Sequence, residues 1–387
     1  MIRINFIFIL TIVVVSGMTQ PTAGQPSEPQ RLFLIDDNRA FIDTRGQVVI
    51  SASQARLVEE VQRVSNTRSG LRFRNEAPVS IRFEEFSEGL AVIGWALCPM
   101  CRNPFWVNGI VDETGRLVIP PIDWSTQYGN FHEGLARYWA HGWGFIDRTG
   151  RIVIPAKFYE AGDFSEGFAV IRSSEKSRFG YINQKGELAI PYSFEWAGDF
   201  HDGLAAVAIT KGKYGFIDKT GRVVFQKNDW FEAGDFSEGL AAVQVEVIDN
   251  RVYRGYRDRK YGFIDRTGRF VVSPQFYRVR KFSEGLALFM QGGSGYGFID
   301  SNGTVVVKPE YADGKSFSEG LAAVAVKTAD EKLIWGYLDK DGQWAIRPQF
   351  ENANSFSGGL AAINCDQYGA RCRAYIDRTG SVRWPKS

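Results

Sequence analysis

The sequence is short of the residues that carry most enzyme chemistry. It has three histidines and four cysteines in 387 residues, no Ser–His–Asp arrangement, no phosphate-binding glycine loop and no dinucleotide fingerprint. His132-Glu133 lacks the second histidine that an H-E-x-x-H zinc site needs. Gly292-Gly293-Ser294-Gly295-Tyr296-Gly297 is glycine-rich, but it stands between two strand patterns and not before a helix. No catalytic residue, metal site or cofactor is expected. Excess charge is missing too. The 46 basic and 44 acidic residues leave +2, and about +1 without the first 24 residues, so no global field favours nucleic acid or an anionic membrane. Only one long apolar run occurs, Ile4 to Val15. It follows the basic Arg3 and precedes small residues at Ser16-Gly17 and Thr22-Ala23-Gly24. It is too short for a span of about 20 apolar residues and has the layout of a secretory signal peptide over 1–24. Residues 25–33 read as a linker, and 34–387 as the folded domain. The expected location is outside the cytoplasm: periplasm, cell surface or medium.

What is abundant is glycine (41) and aromatic side chains (14%), a composition suited to strands joined by tight turns. One unit recurs, seen plainly in Tyr261 to Leu288. It has an aromatic-Gly pair, Phe-Ile-Asp, a turn closed by Gly268, a second apolar run ending at Pro274, and a closing Phe-Ser-Glu-Gly-Leu. The turn residue recurs at Asp112, Asp147, Asn183, Asp218, Asp265, Asp300, Asp339 and Asp377, after an early outlier at Asp43. The phenylalanine of the closing motif follows it by 17 residues in five copies, by 18 in one and by 19 in one. So regular a register marks a stacked repeat architecture. Each unit reads as three short strands, apolar on both faces, which only neighbouring units can cover. The fold class is all-β: a tandem array of about eight units of ~35 residues, extended or gently superhelical. The alternative is a closed propeller-like ring, with the incomplete terminal units combining to close it.

Two stretches break the rhythm. Val58, Val61 and Val64 stand at helical spacing, which predicts a helical insert within 51–80. Residues 246–260 read as a long hairpin insertion, and its Arg251, Tyr253, Arg254, Tyr256 and Arg257 have the composition of a protein-interaction patch. A solvated hairpin fits equally.

The units resemble WG (KWG) repeats, most closely at Trp143-Gly144-Phe145-Ile146-Asp147 and Trp335-Gly336-Tyr337-Leu338-Asp339. Phe179-Gly180, Tyr214-Gly215, Tyr261-Gly262 and Tyr296-Gly297 carry other aromatics, and Asn108-Gly109-Ile110 departs from the pattern. The resemblance implies a β-rich, mostly bacterial, non-catalytic family with no active-site residues to carry over.

The repeated Asp suits a turn better than a row of metal ligands, because Asn183 serves without charge. The acidic residue before the closing Gly reads as a solvated turn residue. His132 and His201 occupy the serine slot of that motif. Cys98 and Cys101 fall in one hairpin and Cys365 and Cys372 in the equivalent hairpin of the last unit, so an exported chain is expected to pair 98–101 and 365–372. A redox-active C-x-x-C and a four-cysteine zinc site are the rivals; zinc requires the two ends to meet. The aromatics before each Gly, Trp143 and Trp335 among them, form either a packed core or a ladder for sugar rings. The expected partner is another protein, with cell-wall polysaccharide as the alternative.

Overall fold

A computed structural model describes residues 32–35, 40–45, 47–51, 61, 81–96, 106–122, 125–210, 212–249, 256–293, 295–365 and 372–384. These build nine small antiparallel sheets in chain order. We number them as blades: blade 1 (33–51), 2 (81–119), 3 (127–158), 4 (160–194), 5 (196–227), 6 (230–276), 7 (278–311), 8 (313–350) and 9 (360–384). Blades 2 to 8 have four strands each, and blades 1 and 9 have three. Within each blade every strand pairs with its sequence neighbours in a simple meander.

Nine apolar clusters fill the nine interfaces between successive blades. The last of them joins Phe33, Ala40 and Ile42 of blade 1 to Leu360, Ala362 and Tyr375 of blade 9. The array therefore closes on itself as a β-propeller, the alternative and not the extended form. Closure does not come from two half-units merging. Blades 1 and 9 keep separate sheets and pack face to face, with Phe33 and Tyr375 edge-on at 5.7 Å.

The expected three strands are the second, third and fourth of each blade. The second and third are buried on both faces, as at Phe145 and Ile146 or Phe263 and Ile264. The fourth is largely exposed, at Ile152, Leu188 and Phe270 among others, buries only its third and seventh residues, such as Ile154 and Phe158, and forms the rim. Missing from the sequence reading is the first strand, the segment leading into Phe-Ser-Glu-Gly. The first strands of blades 5 and 6, 196–201 and 230–237, touch each other, as inner strands at the axis of a ring do.

The aromatic-Gly pair has a steric origin. Between the third and fourth strands the register slips, Trp143 facing Phe158 and Phe145 facing Ile154, and the slack forms a bulge around Pro155. A Cβ on Gly144 would lie 2.5 Å from the Ile154 carbonyl oxygen and 2.7 Å from the Ala156 nitrogen. The same crossing recurs at Gly262 and Pro274, where a Cβ would lie 2.8 Å from the proline nitrogen. The proline thus does not end the strand, as expected from sequence; it sits in a rim bulge, where a missing amide proton costs no ladder bond.

The turn aspartate behaves as read. Asp147 Oδ1 accepts from the Thr149 and Arg151 amides at 2.9 and 3.0 Å and from the Thr149 hydroxyl at 2.6 Å, and Gly150 takes φ +83°. The acidic residue of the closing motif is more than a solvated turn residue. Glu166 takes φ +51° and reaches into the next blade, where its carboxylate accepts from the Gly203 amide at 2.9 Å. Glu88, Glu133, Asp202, Glu238, Glu284 and Glu319 do the same to the blade that follows each. Gly358 replaces the acid in blade 9, so among the described residues no carboxylate latch spans the closing interface.

Of the predicted 51–80 insert only Ser51 and Val61 are described; Val61 is helical and fully buried against blades 1 and 2. Along the 246–260 insertion the second and third strands of blade 6 run on in register to Asp249 facing Tyr256, and residues 250–255 lie outside the described residues. No helix among the described residues is long and apolar enough to cross a membrane.

Candidate functional site

In blades 3 to 8 the first strand enters its closing turn with a buried phenylalanine, so the residue before that phenylalanine turns toward the axis. In blades 4, 5 and 6 it is Asp163, Asp199 and Asp235; in blade 7 it is Lys281. The position one earlier is Gly162, Gly198 and Gly234, then Arg280 and Lys315. The glycines make room: a Cβ on Gly162 would lie 3.2 Å from Asp199 Oδ1, and one on Gly198 3.2 Å from Asp235 Oδ1. The carboxylates step around the axis blade by blade, and a basic sector of Arg278, Arg280, Lys281 and Lys315 follows.

Neighbours set the electrostatics of each sector. Asp163 is neutralised from blade 3: Arg137 Nε and Nη2 donate to its two oxygens at 2.6 and 3.2 Å, while Arg137 Nη1 donates to the Ala161 carbonyl at 2.8 Å. Asp199 accepts no hydrogen bond among the described residues. Burial, then the charges of Asp235 and Asp163, push its carboxyl above the usual range, with His201 and Arg137 opposing. Lys315 is driven below the usual lysine range by burial, with Arg280 adding and Asp313 opposing; its Nζ donates to Asn354 Oδ1 at 2.5 Å. His132 and His201 do occupy the serine slot. Where Ser165 Oγ donates to the next blade's Phe200 carbonyl at 2.7 Å, these histidines instead approach Asp163 and Asp235 at 3.6 and 3.7 Å.

Two adjoining cavities open along this face and share Asp235. The first, about 500 Å³, is walled by Arg137, Trp143, Glu160, Phe179, Trp196 and Asp199. The second, about 480 Å³, is walled by Glu232, Tyr261, Arg278, Arg280, Lys281 and Tyr296. The aromatics stand at the strand ends away from the closing turns, on the ring face that carries the hairpins between second and third strands. The 246–260 arm rises from this same hairpin face. Its root is fastened at the second cavity: Tyr261 Oη donates to Glu232 at 2.5 Å, and the Arg259 guanidinium lies 4.0 Å from the Phe231 ring centre.

The predicted site residues fare unequally. Trp143 is half-buried and lines the first cavity. Trp335 is 6% exposed inside the cluster between blades 8 and 9, which places it in the packed core. Tyr256 and Arg257 pair with Asp249 and Ile248 in the arm's backbone ladder; Arg251, Tyr253 and Arg254 lie outside the described residues, as do Cys98 and Cys101. The backbones of Cys365 and Cys372 face each other across antiparallel strands. The inner aspartates were not anticipated, although the signal was present: Gly-Asp-Phe repeats at 162–164, 198–200 and 234–236. Among the described residues no group of three His, Cys, Asp or Glu side chains converges as metal ligands.

A model of the WG containing repeat matches six times, at 143–176, 179–214, 214–246, 261–294, 296–327 and 335–368. This chain belongs to the WG-repeat family. The WG unit runs from the third strand of one blade to the second strand of the next, so each repeat of sequence ties two blades together. No curated protein matches the sequence. Among solved structures, the chain is distantly similar to BamB from Moraxella catarrhalis (11% identity, 64% of this chain, 78% of that one, TM-score 0.37). It is also similar to the WD40 domain of Toxoplasma gondii coronin (13%, 70% and 77%, 0.30). A third similarity is to the extracellular domain of a hybrid two-component system from B. thetaiotaomicron (10%, 79% of this chain, TM-score 0.32), of which the match spans 47%.

Proposed function

We propose that this WG-repeat propeller is a non-enzymatic scaffold that binds another protein on its hairpin face, after export to the periplasm, the cell surface or the medium. The observation that carries the reading is the inner face divided by sign: an acidic sector in blades 4 to 6, a basic sector in blades 7 and 8, and two adjoining cavities, one within the acidic sector and one where the sectors meet. Opposed charge patches with half-exposed aromatics favour a protein surface of complementary pattern. The hairpin arm stands beside them. Residues 1–24 support export by their signal-peptide layout. The facing backbones of Cys365 and Cys372 support a cross-strand disulfide, since antiparallel partners stand about 4.5–5.5 Å apart at Cα, within disulfide reach. Trp335, packed in the core, offers no platform for a sugar ring.

The test is photo-crosslinking in the source organism, with a crosslinker placed at Trp196 and, separately, at rim residue Leu188. The proposal expects a discrete protein adduct from position 196 and none from 188. No protein adduct from position 196 contradicts it.

A further inference from the structure

The repeats supply an internal comparison for the first cavity. In blade 3, Arg137 projects from the second strand and its guanidinium lies 5.3 Å from the Trp143 ring centre. From there it forks onto Asp163 of the next blade. Ring, carboxylate and guanidinium make a complete set. One blade on, the ring is Phe179 and the carboxylate is Asp199, but the residue equivalent to Arg137 is Val170: Arg137 faces Phe145 across the sheet as Val170 faces Tyr181. A ring and a carboxylate remain where the third member is missing, and a cavity of about 500 Å³ lies there. The nearby Arg172 does not supply it. Arg172 lies 5.0 Å from the Phe179 ring centre but sends its charge to Glu160.

We infer that the cavity between blades 4 and 5 receives the guanidinium or ammonium head of a basic side chain from the partner protein, seated between Phe179, Trp196, Asp199 and Asp235. The inference rests on the protein-binding reading above. The chemistry is that of the Arg137 set. A cation held against aromatic faces with a carboxylate at its edge gains from both, and a guanidinium fits best because it stacks flat and donates in a fork. The incoming charge also relieves the mutual repulsion of Asp199 and Asp235. Trp196, 41% exposed, stands at the mouth, so the head enters from the hairpin face.

The experiment titrates the purified mature chain with acetylated, amidated tetra-arginine, tetra-lysine and tetra-glutamate at fixed ionic strength, followed by tryptophan fluorescence and calorimetry. Tetra-arginine is expected to bind and tetra-glutamate not to compete with it. Asp199→Asn is expected to weaken binding at least tenfold. Val170→Arg, which rebuilds the blade 3 set from within, is expected to do the same while keeping the wild-type unfolding curve. Tetra-arginine binding left unchanged by both substitutions overturns the inference. So does binding no tighter than that of tetra-alanine. A position 196 crosslink that persists at full yield in Asp199→Asn overturns the cavity inference while leaving the protein-binding reading in place. Loss of every protein adduct from position 196 in the wild type fails the protein-binding reading itself.

Discussion

Replacing Gly144 with alanine isolates the steric reason for the aromatic-Gly pair. Its φ lies in the ordinary range, so alanine there would by itself stabilise the fold by about 0.4–1 kcal/mol through the unfolded chain. The added methyl, however, meets the Ile154 oxygen at 2.5 Å, the Ala156 nitrogen at 2.7 Å and the Tyr138 ring at 2.7 Å. Two of those atoms are backbone held in the rim bulge, and the third belongs to a tyrosine whose hydroxyl accepts from the Ala156 amide at 3.0 Å. None can swing away as a flexible side chain would. Overpacking of this kind costs about 1–3 kcal/mol, and fixed backbone puts it at the upper end, for a net loss of roughly 2 kcal/mol. Gly134→Ala is the comparison. It has φ +79° and open space around it, so it costs about 1–2 kcal/mol of left-handed strain and disturbs no neighbour. Urea unfolding gives the magnitudes, and hydrogen exchange gives the place. Gly144→Ala is expected to lower protection across 152–158, and Gly134→Ala to leave that strand unchanged. A Gly144→Ala protein within 0.5 kcal/mol of wild type, by the scatter usual for neutral surface changes, refutes the steric argument.

Three further outcomes follow from the same geometry. Glu319→Ala removes the carboxylate that accepts from the Gly358 and Gly359 amides. It is expected to cost about 1 kcal/mol and to raise exchange at 358–360, whereas a blade 9 turn as protected as in wild type would deny the latch. In Asp147, Asp218 and Asp265 the carboxyl is held below its ordinary value by the threonine hydroxyl first, with burial opposing and turn amides helping. A depressed folded value gives stability that is full above the ordinary carboxylate range and lost as pH falls through the folded value. Changing Thr149, Thr220 and Thr267 to valine is therefore expected to lower the melting temperature near pH 6 and to shrink the gap below about pH 3; parallel curves would contradict this. Non-reducing peptide mapping is expected to recover Cys365 joined to Cys372, and free thiols at both would remove that staple.

Much of the architecture could be read from spacing alone, because Phe-Ile-Asp, the turn Gly and the closing motif have a fixed register set by the width of a blade. The first strand escaped because Glu160-Ala-Gly-Asp-Phe164 has glycine and acid where a strand pattern wants branched or aromatic residues; its reason for being extended is the neighbouring blade, not its own propensity. The same fact hid the acidic sector, since Asp163, Asp199 and Asp235 are 36 residues apart in sequence and meet only when the ring is formed. Glu166 and its equivalents read as solvated because nothing local shows that the receiving amide lies one blade on. Ring closure was legible only as an alternative. It depends on Phe33 and Ile42 meeting Leu360 and Tyr375, a contact between the two ends that no repeat period reports.

The whole arrangement of sectors depends on that closure, and the most direct test is electron microscopy of the purified mature chain, with face-on class averages. Closed rings of nine blades are predicted, and Phe33→Ala combined with Tyr375→Ala is predicted to convert a fraction of them to arcs with a single gap. Open arcs or extended rods in the wild type would contradict the closed propeller and, with it, the shared inner face.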